Sequence, residues 1–216
     1  MAEKFYMELQ SLRIETLEMA HLGREMLRSA VDALIRQDPD LAESVIARKE
    51  DIRQMEVRLE EHCYHLIALY QPMAKDMRFI ACTLKIINAS LRIGRYGKTI
   101  AKIVREISNT HPIANPMSIP HMADLVIDMI DDANAAYESD NLTLLEGFST
   151  RDDTVDALRH SIFREGISYM MEDPKNITRY THYIMVARYL ERCADHACKI
   201  AENVHYMETG ERIEIK

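Results

Sequence analysis

Glycine and proline are scarce in this chain, six of each in 216 residues. With few helix breakers, and with methionine, leucine, isoleucine, alanine, glutamate and arginine prominent, the composition points to helices rather than strands. Long apolar runs are missing too. Every hydrophobic stretch is interrupted by charge well before the ~18 residues that suggest a membrane span, so any meeting with a membrane is expected to pass through a partner. Neither end carries a Lys/Arg-rich arm and the formal charge is −8, which argues against a nucleic-acid surface, because binding phosphates needs a clustered basic face. No Cys-x-x-Cys pair occurs among Cys63, Cys82, Cys193 and Cys198, and no apolar leader opens the chain. The expectation is buried thiols in a reducing cytoplasm. A glycine-rich phosphate loop and a nucleophile constellation are likewise not visible.

What is present is helical periodicity. Leu9, Leu12, Leu17, Ala20, Leu27, Val31 and Leu34 recur at three-, four- and seven-residue steps, which predicts one long amphipathic helix from Phe5 to about Ile35. Asp38-Pro39 supplies an N-cap and a proline at the first helical position, opening a second helix through Val45, Ile52, Leu59 and Leu66 towards Tyr70. Gln71-Pro72 ends it. A third helix is predicted from about Asp76 to Ser108, through Phe79, Ile87, Leu91, Ile100 and Val104. The proline- and asparagine-rich segment from His111 to Pro120 reads as a linker. Beyond it helices are predicted from Pro120 to Glu138, from Asn141 to about Met171 and from Asn176 to about Met207. A break falls at Asp173-Pro174, and Thr209-Gly210 closes the last helix.

The pattern therefore repeats. The second proline break stands 102 residues after the first, and Leu91 to Ala101 aligns with Glu191 to Ala201 at an offset of 100. The expected fold is all-α: six long antiparallel helices in two pseudo-symmetric three-helix bundles, residues 1–110 and 116–216, arising by internal duplication.

Two carboxylate pairs stand out in the second half, Asp152 with Asp156 and Glu191 with Asp195, each four residues apart. That spacing puts both members on one face of a helix. Such pairs either share a cation or form a solvated edge. His160, four residues beyond Asp156, either adds a nitrogen ligand or packs on the surface. In the first half the counterparts are Lys49, Arg53, Leu91 and Arg95, which cannot supply donor oxygens. Two Glu-x-x-His spacings, Glu18 to His21 and Glu202 to His205, raise a di-iron carboxylate-bundle enzyme as the alternative. Arg92 and Arg192 occupy matching positions in the two halves and suit an internal ion pair or a partner's carboxylate.

Three ordered motifs carry a resemblance. Gln71-Pro-Met-Ala-Lys-Asp-Met-Arg78, Arg151-Asp-Asp-Thr-Val-Asp-Ala-Leu158 and Leu190-Glu-Arg-Cys-Ala-Asp-His-Ala197 resemble the signatures of the PhoU family of phosphate-signalling regulators, and Met207 to Glu211 also fits. The resemblance covers nearly the whole chain. It implies a cytoplasmic, non-catalytic regulator that forms a homodimer and links a phosphate ABC-transporter ATPase, a sensor kinase or both. It also implies iron or zinc held by carboxylates, which carries over here to Asp152, Asp156, Glu191 and Asp195. The first repeat departs from that pattern at all four matching positions.

Overall fold

A computed structural model describes residues 2–107 and 117–215. Seven α-helices and two short 3-10 turns make up the described secondary structure, and no strand occurs among the described residues. Helix α1 spans Ala2–Arg36, α2 Pro39–Ala47, α3 Lys49–Tyr70, α4 Ala74–Ile107, α5 Ile119–Ser139, α6 Phe148–Glu172 and α7 Ile177–Thr209. The apolar positions that predict α1 are all buried, as are Val45, Ile52, Leu59 and Leu66.

Local chemistry sets the helix boundaries. The Asp38 carboxylate accepts from Asp40 N at 3.0 Å and Leu41 N at 2.9 Å, capping α2 ahead of Pro39. One long second helix was expected, but it is divided at Arg48, whose ψ of −4° interrupts the helix for one residue. The expected helix from Asn141 likewise starts as a 3-10 turn, Leu142–Leu145, capped by Asn141. The α-helix begins only at Phe148, after Gly147 adopts a left-handed φ of 73°. Asp173 caps the 3-10 turn Pro174–Asn176 and returns the chain into α7. Gly210 ends α7 with φ 77°, its N–H donating to Tyr206 O at 2.9 Å. The expected linker and the repeat boundary between residues 110 and 116 lie outside the described residues, apart from the turn at residues 117–118 that leads into α5.

Contacts fix the directions of the helices. Glu8 and Glu15 of α1 meet His62 and Arg58 of α3, so these helices are antiparallel, whereas Gly23 and Met26 meet Ser90 and Gly97, so α1 and α4 run parallel. In the second half Arg159 meets Glu191, and Tyr169 stacks on Tyr180, so α6 and α7 are antiparallel. The two halves join through α1 against α5 and α4 against α7. Along the first seam Arg13 bonds Asp140 at 2.9 Å, Arg24 grips Asp131 at 2.7 and 2.9 Å, and Arg28 reaches Asp124 at 2.8 Å. Along the second, Lys75 reaches Glu208 at 3.0 Å and Tyr96 stacks on Tyr189. Buried apolar residues from both halves form one continuous core, which includes all four free cysteines.

Candidate functional site

Helices α6 and α7 bring the two sequence-predicted carboxylate pairs to a shared seam. On α6, Phe148, Val155, Ile162 and Gly166 are buried, which turns Asp152 and Asp156 towards the edge of the helix pair. On α7, Leu190, Cys193, Ala194 and Ala197 are buried, and Glu191 and Asp195 sit half-buried beside them. Each pair continues at the seventh position, Asp152-Asp156-Arg159 on one helix and Glu191-Asp195-Cys198 on the other, one face of each helix.

The electrostatics of the seam are uneven. Burial, then the charges of Asp195 and Asp156, raise the Asp152 carboxyl above its ordinary range, while a hydrogen bond with the Cys198 thiol partly offsets the rise. Asp152 is thus crowded by like charge. Arg192 Nη1 donates to Asp195 Oδ2 at 2.8 Å and its Nε lies 4.0 Å from Glu191 Oε2, the internal ion pair expected of this arginine. Arg159 Nε stands 3.5 Å from Glu191 Oε1, and Glu191 Oε2 is buried without a hydrogen-bond partner. His160 Nδ1 lies 2.8 Å from the Asp156 carbonyl and must donate to it, since a carbonyl only accepts. Its Nε2 then accepts from Arg159 Nη2 at 3.1 Å. The nitrogen lone pair that His160 would offer a metal is therefore engaged.

A groove of about 580 Å³ opens beside Asp152 and Asp195, lined also by Tyr96, Arg192, His196, Cys198, Lys199 and Ile215. His196 is held below its usual range chiefly by burial. A helical wheel turns His196 about 100° from Asp195 and so leaves it outside the carboxylate face. Tyr96 of α4, 6.0 Å from the imidazole, carries the groove across to that side. Cys198 and Arg159 were legible as the heptad continuation of each pair. The contributions of Tyr96 and Ile215 come from other parts of the fold and had no local signal.

The donor set, four carboxylates on two adjoining helices with one oxygen orphaned, fits a hard or borderline cation. The arginines compete for it. Among the described residues no three His, Cys, Asp or Glu side chains are gathered closely enough to hold a metal ion as they stand. Loading one would require Arg159 and Arg192 to swing away from Glu191 and Asp195. The Glu-x-x-His spacings form no such centre either, and Glu202 is committed to Lys199 Nζ at 2.8 Å and to Ile215 N at 3.1 Å.

Two paired three-helix repeats with charged seams and a single core define an all-helical, duplicated regulator fold, and the chain belongs to the PhoU family: the PhoU domain matches residues 16–104 and 119–204. Among its relatives, the phosphate-specific transport system accessory protein PhoU homolog of Caulobacter vibrioides is 36% identical over 95% of this chain and 90% of that protein. The homolog from Aquifex aeolicus is also 36% identical, over 96% of this chain and 94% of that protein. The crystal structure of PhoU from Pseudomonas aeruginosa superposes with a TM-score of 0.92 at 33% identity, covering 96% of this chain and all of that one. The phosphate transport system regulatory protein PhoU from Streptococcus pneumoniae gives 0.88 at 27% identity, covering 97% of this chain and 99% of that one. Among the described residues no helix is long and apolar enough to cross a membrane.

Proposed function

We propose that this protein is a cytoplasmic regulator of phosphate transport and phosphate-responsive signalling that acts by binding other proteins and not by catalysis. The observation that carries the reading is end-to-end likeness: both repeats match the family, and the chain spans at least 90% of the two curated relatives described above, which are named as accessory proteins of phosphate transport. The proposed partners are the ATPase of a phosphate ABC transporter, a sensor kinase or both, with a homodimer as the working assembly. The test is a pull-down of the transporter ATPase and the kinase by the tagged full chain, at high and low phosphate. Phosphate-dependent capture of either supports the reading, and capture of neither at any phosphate level sinks it.

The reading includes a metal site in the second repeat. Asp152, Asp156, Glu191 and Asp195 would hold the ion, iron or zinc, with His160 as a further ligand once Arg159 releases it. The carboxylates would supply oxygen donors and negative charge, and the ion would tie α6 to α7. Elemental analysis provides the measurement. Metal should be lost from Asp152→Ala, Asp156→Ala and retained in Lys49→Ala, Arg53→Ala, because the first repeat offers cations at the matching positions. Equal metal content in the two double variants would rule the site out.

A further inference from the structure

The first repeat reverses the charge at five places of the second repeat's acidic seam, although Leu91 stands for Glu191 and Arg92 keeps the charge of Arg192. Lys49 stands for Asp152, Arg53 for Asp156, Arg95 for Asp195 and Lys102 for Glu202, while Glu56 stands for Arg159. Lys98 replaces Cys198, so a fifth cation joins the group. These residues lie on α3 and α4, which pack together as α6 and α7 do.

The two seams differ in how their charge is compensated. In the second repeat Asp195, Glu191 and Glu202 are each met by an arginine or lysine of the same chain. Among the described residues none of Lys49, Arg53, Arg95, Lys98 and Lys102 has an ion pair or hydrogen bond to a side-chain carboxylate, and Glu56 pairs with none of them. Lys102, Lys49 and Arg95 are close enough to Lys98 to act on it. Lys98 is pushed below its usual range by burial first and then by Lys102, Lys49 and Arg95, with no carboxylate acting on it in the other direction. A chain of net charge −8 thus gathers unpaired positive charge on one face.

We propose that this face of α3 and α4 binds a short chain of phosphates, the linear di- or triphosphate group of a soluble polyphosphate or nucleotide. Arg95 to Lys102 is two helical turns, about 10 Å along α4, too long for one tetrahedral oxyanion to reach every cation. A single carboxylate would bring one charge and leave the rest uncompensated. Linked phosphates bring several charges in line, with oxygens suited to the planar donors of Arg53 and Arg95 and to the point charges of the lysines. A second copy of this chain is the poorer fit, since Glu191, Asp195 and Glu202 of its acidic seam are already paired internally with Arg159, Arg192 and Lys199.

The experiment is calorimetric titration of the chelator-treated full chain, so that stripping of metal from the second repeat is not read as binding. Sodium tripolyphosphate, ATP and orthophosphate are the soluble ligands, and phosphatidylglycerol vesicles form a separate co-sedimentation arm. Tripolyphosphate should bind once per chain, more tightly than orthophosphate and less tightly as salt rises. Lys98→Gln, Lys102→Gln should weaken it about tenfold or more, while Lys175→Gln, Arg188→Gln should leave it unchanged. Circular dichroism of each variant establishes that the helices remain. Comparable binding of ATP extends the ligand class to nucleotide phosphates, whereas weak ATP binding restricts it to the bare chain. The proposal is overturned if tripolyphosphate does not bind, if the control pair weakens it as much, or if only vesicles are bound. It is also overturned if sedimentation of the ligand-free chain reveals self-association that Lys98→Gln, Lys102→Gln abolishes. Because no metal and no partner protein enters the measurement, its failure leaves the regulator reading standing, and the reverse holds.

Discussion

Asp152 is the most revealing single side chain. Its carboxyl is raised by burial, then by Asp195 and Asp156. A carboxyl that holds its proton more tightly in the folded chain than in the unfolded one adds stability that is fully present below the unfolded pKa. That stability is lost as pH rises through the folded pKa. At neutral pH the ionised group is then a net cost. Asp152→Asn should therefore raise the melting midpoint of the chelator-treated protein at neutral pH, and the advantage should fade as pH falls through the raised folded pKa and be gone below the ordinary carboxylate value of about 4. A pH series of thermal melts checks this, and a difference that does not change with pH would contradict it. Arg159 and Arg192 make the same point from the other side, because each guanidinium stands where a cation would relieve the carboxylates.

Among the elements, α1 and α4 meet in parallel too closely for a methyl group at their glycines. A Cβ built on Gly97 would lie 2.7 Å from the Met26 carbonyl carbon and 2.8 Å from Leu27 N, and one on Gly23 would lie 2.7 Å from Ser90 O. These obstacles are backbone atoms, so no rotamer change removes them. Gly97→Ala is expected to cost about 2 kcal/mol through overpacking and, in a chain of this size, to lower the melting midpoint by about 4–8 °C. The counterpart at an offset of 100 is Ala197, fully buried, so the second repeat has room for the methyl group at its own crossing. Thermal unfolding decides the matter, and a Gly97→Ala midpoint equal to that of the native chain would mean that the helices can separate at no cost.

At the scale of the whole molecule, a metal held between α6 and α7 would act as a cross-link over the Asp173-Pro174 turn. A ligand bound only by the folded chain adds RT ln(1 + [L]/Kd), about 2.7 kcal/mol at a hundredfold excess over Kd. A chelator should then lower the midpoint of the metal-loaded protein by about 5–10 °C without dissolving the fold, since one continuous apolar core spans both repeats. In Glu191→Gln, Asp195→Asn the chelator response should shrink, because amides keep the shape and shed the charge. Equal responses in both proteins, or none in either, would identify the seam as a structural ion-pair network closed by its own arginines.

By itself the sequence determined the helices, their order and the duplication. Apolar spacing, the Asp38-Pro39 cap, the Gln71-Pro72 and Asp173-Pro174 breaks and the Gly210 stop all act within a few residues, so their physics is local and readable along the chain. The i, i+4 carboxylates and their basic counterparts were legible for the same reason: a helix fixes which side chains share its face. The one-residue break at Arg48 and the 3-10 start before Phe148 were not, for neither interrupts the apolar pattern on which the reading rested. Only the tertiary structure decided that Arg159 closes on Glu191, that Tyr96 and Ile215 wall the groove, and that, among the described residues, the five cations of α3 and α4 form no ion pair with a carboxylate. Those outcomes depend on the separation and rotation of helices distant in sequence, and at ion-pair range a shift of an ångström or two decides which charge meets which.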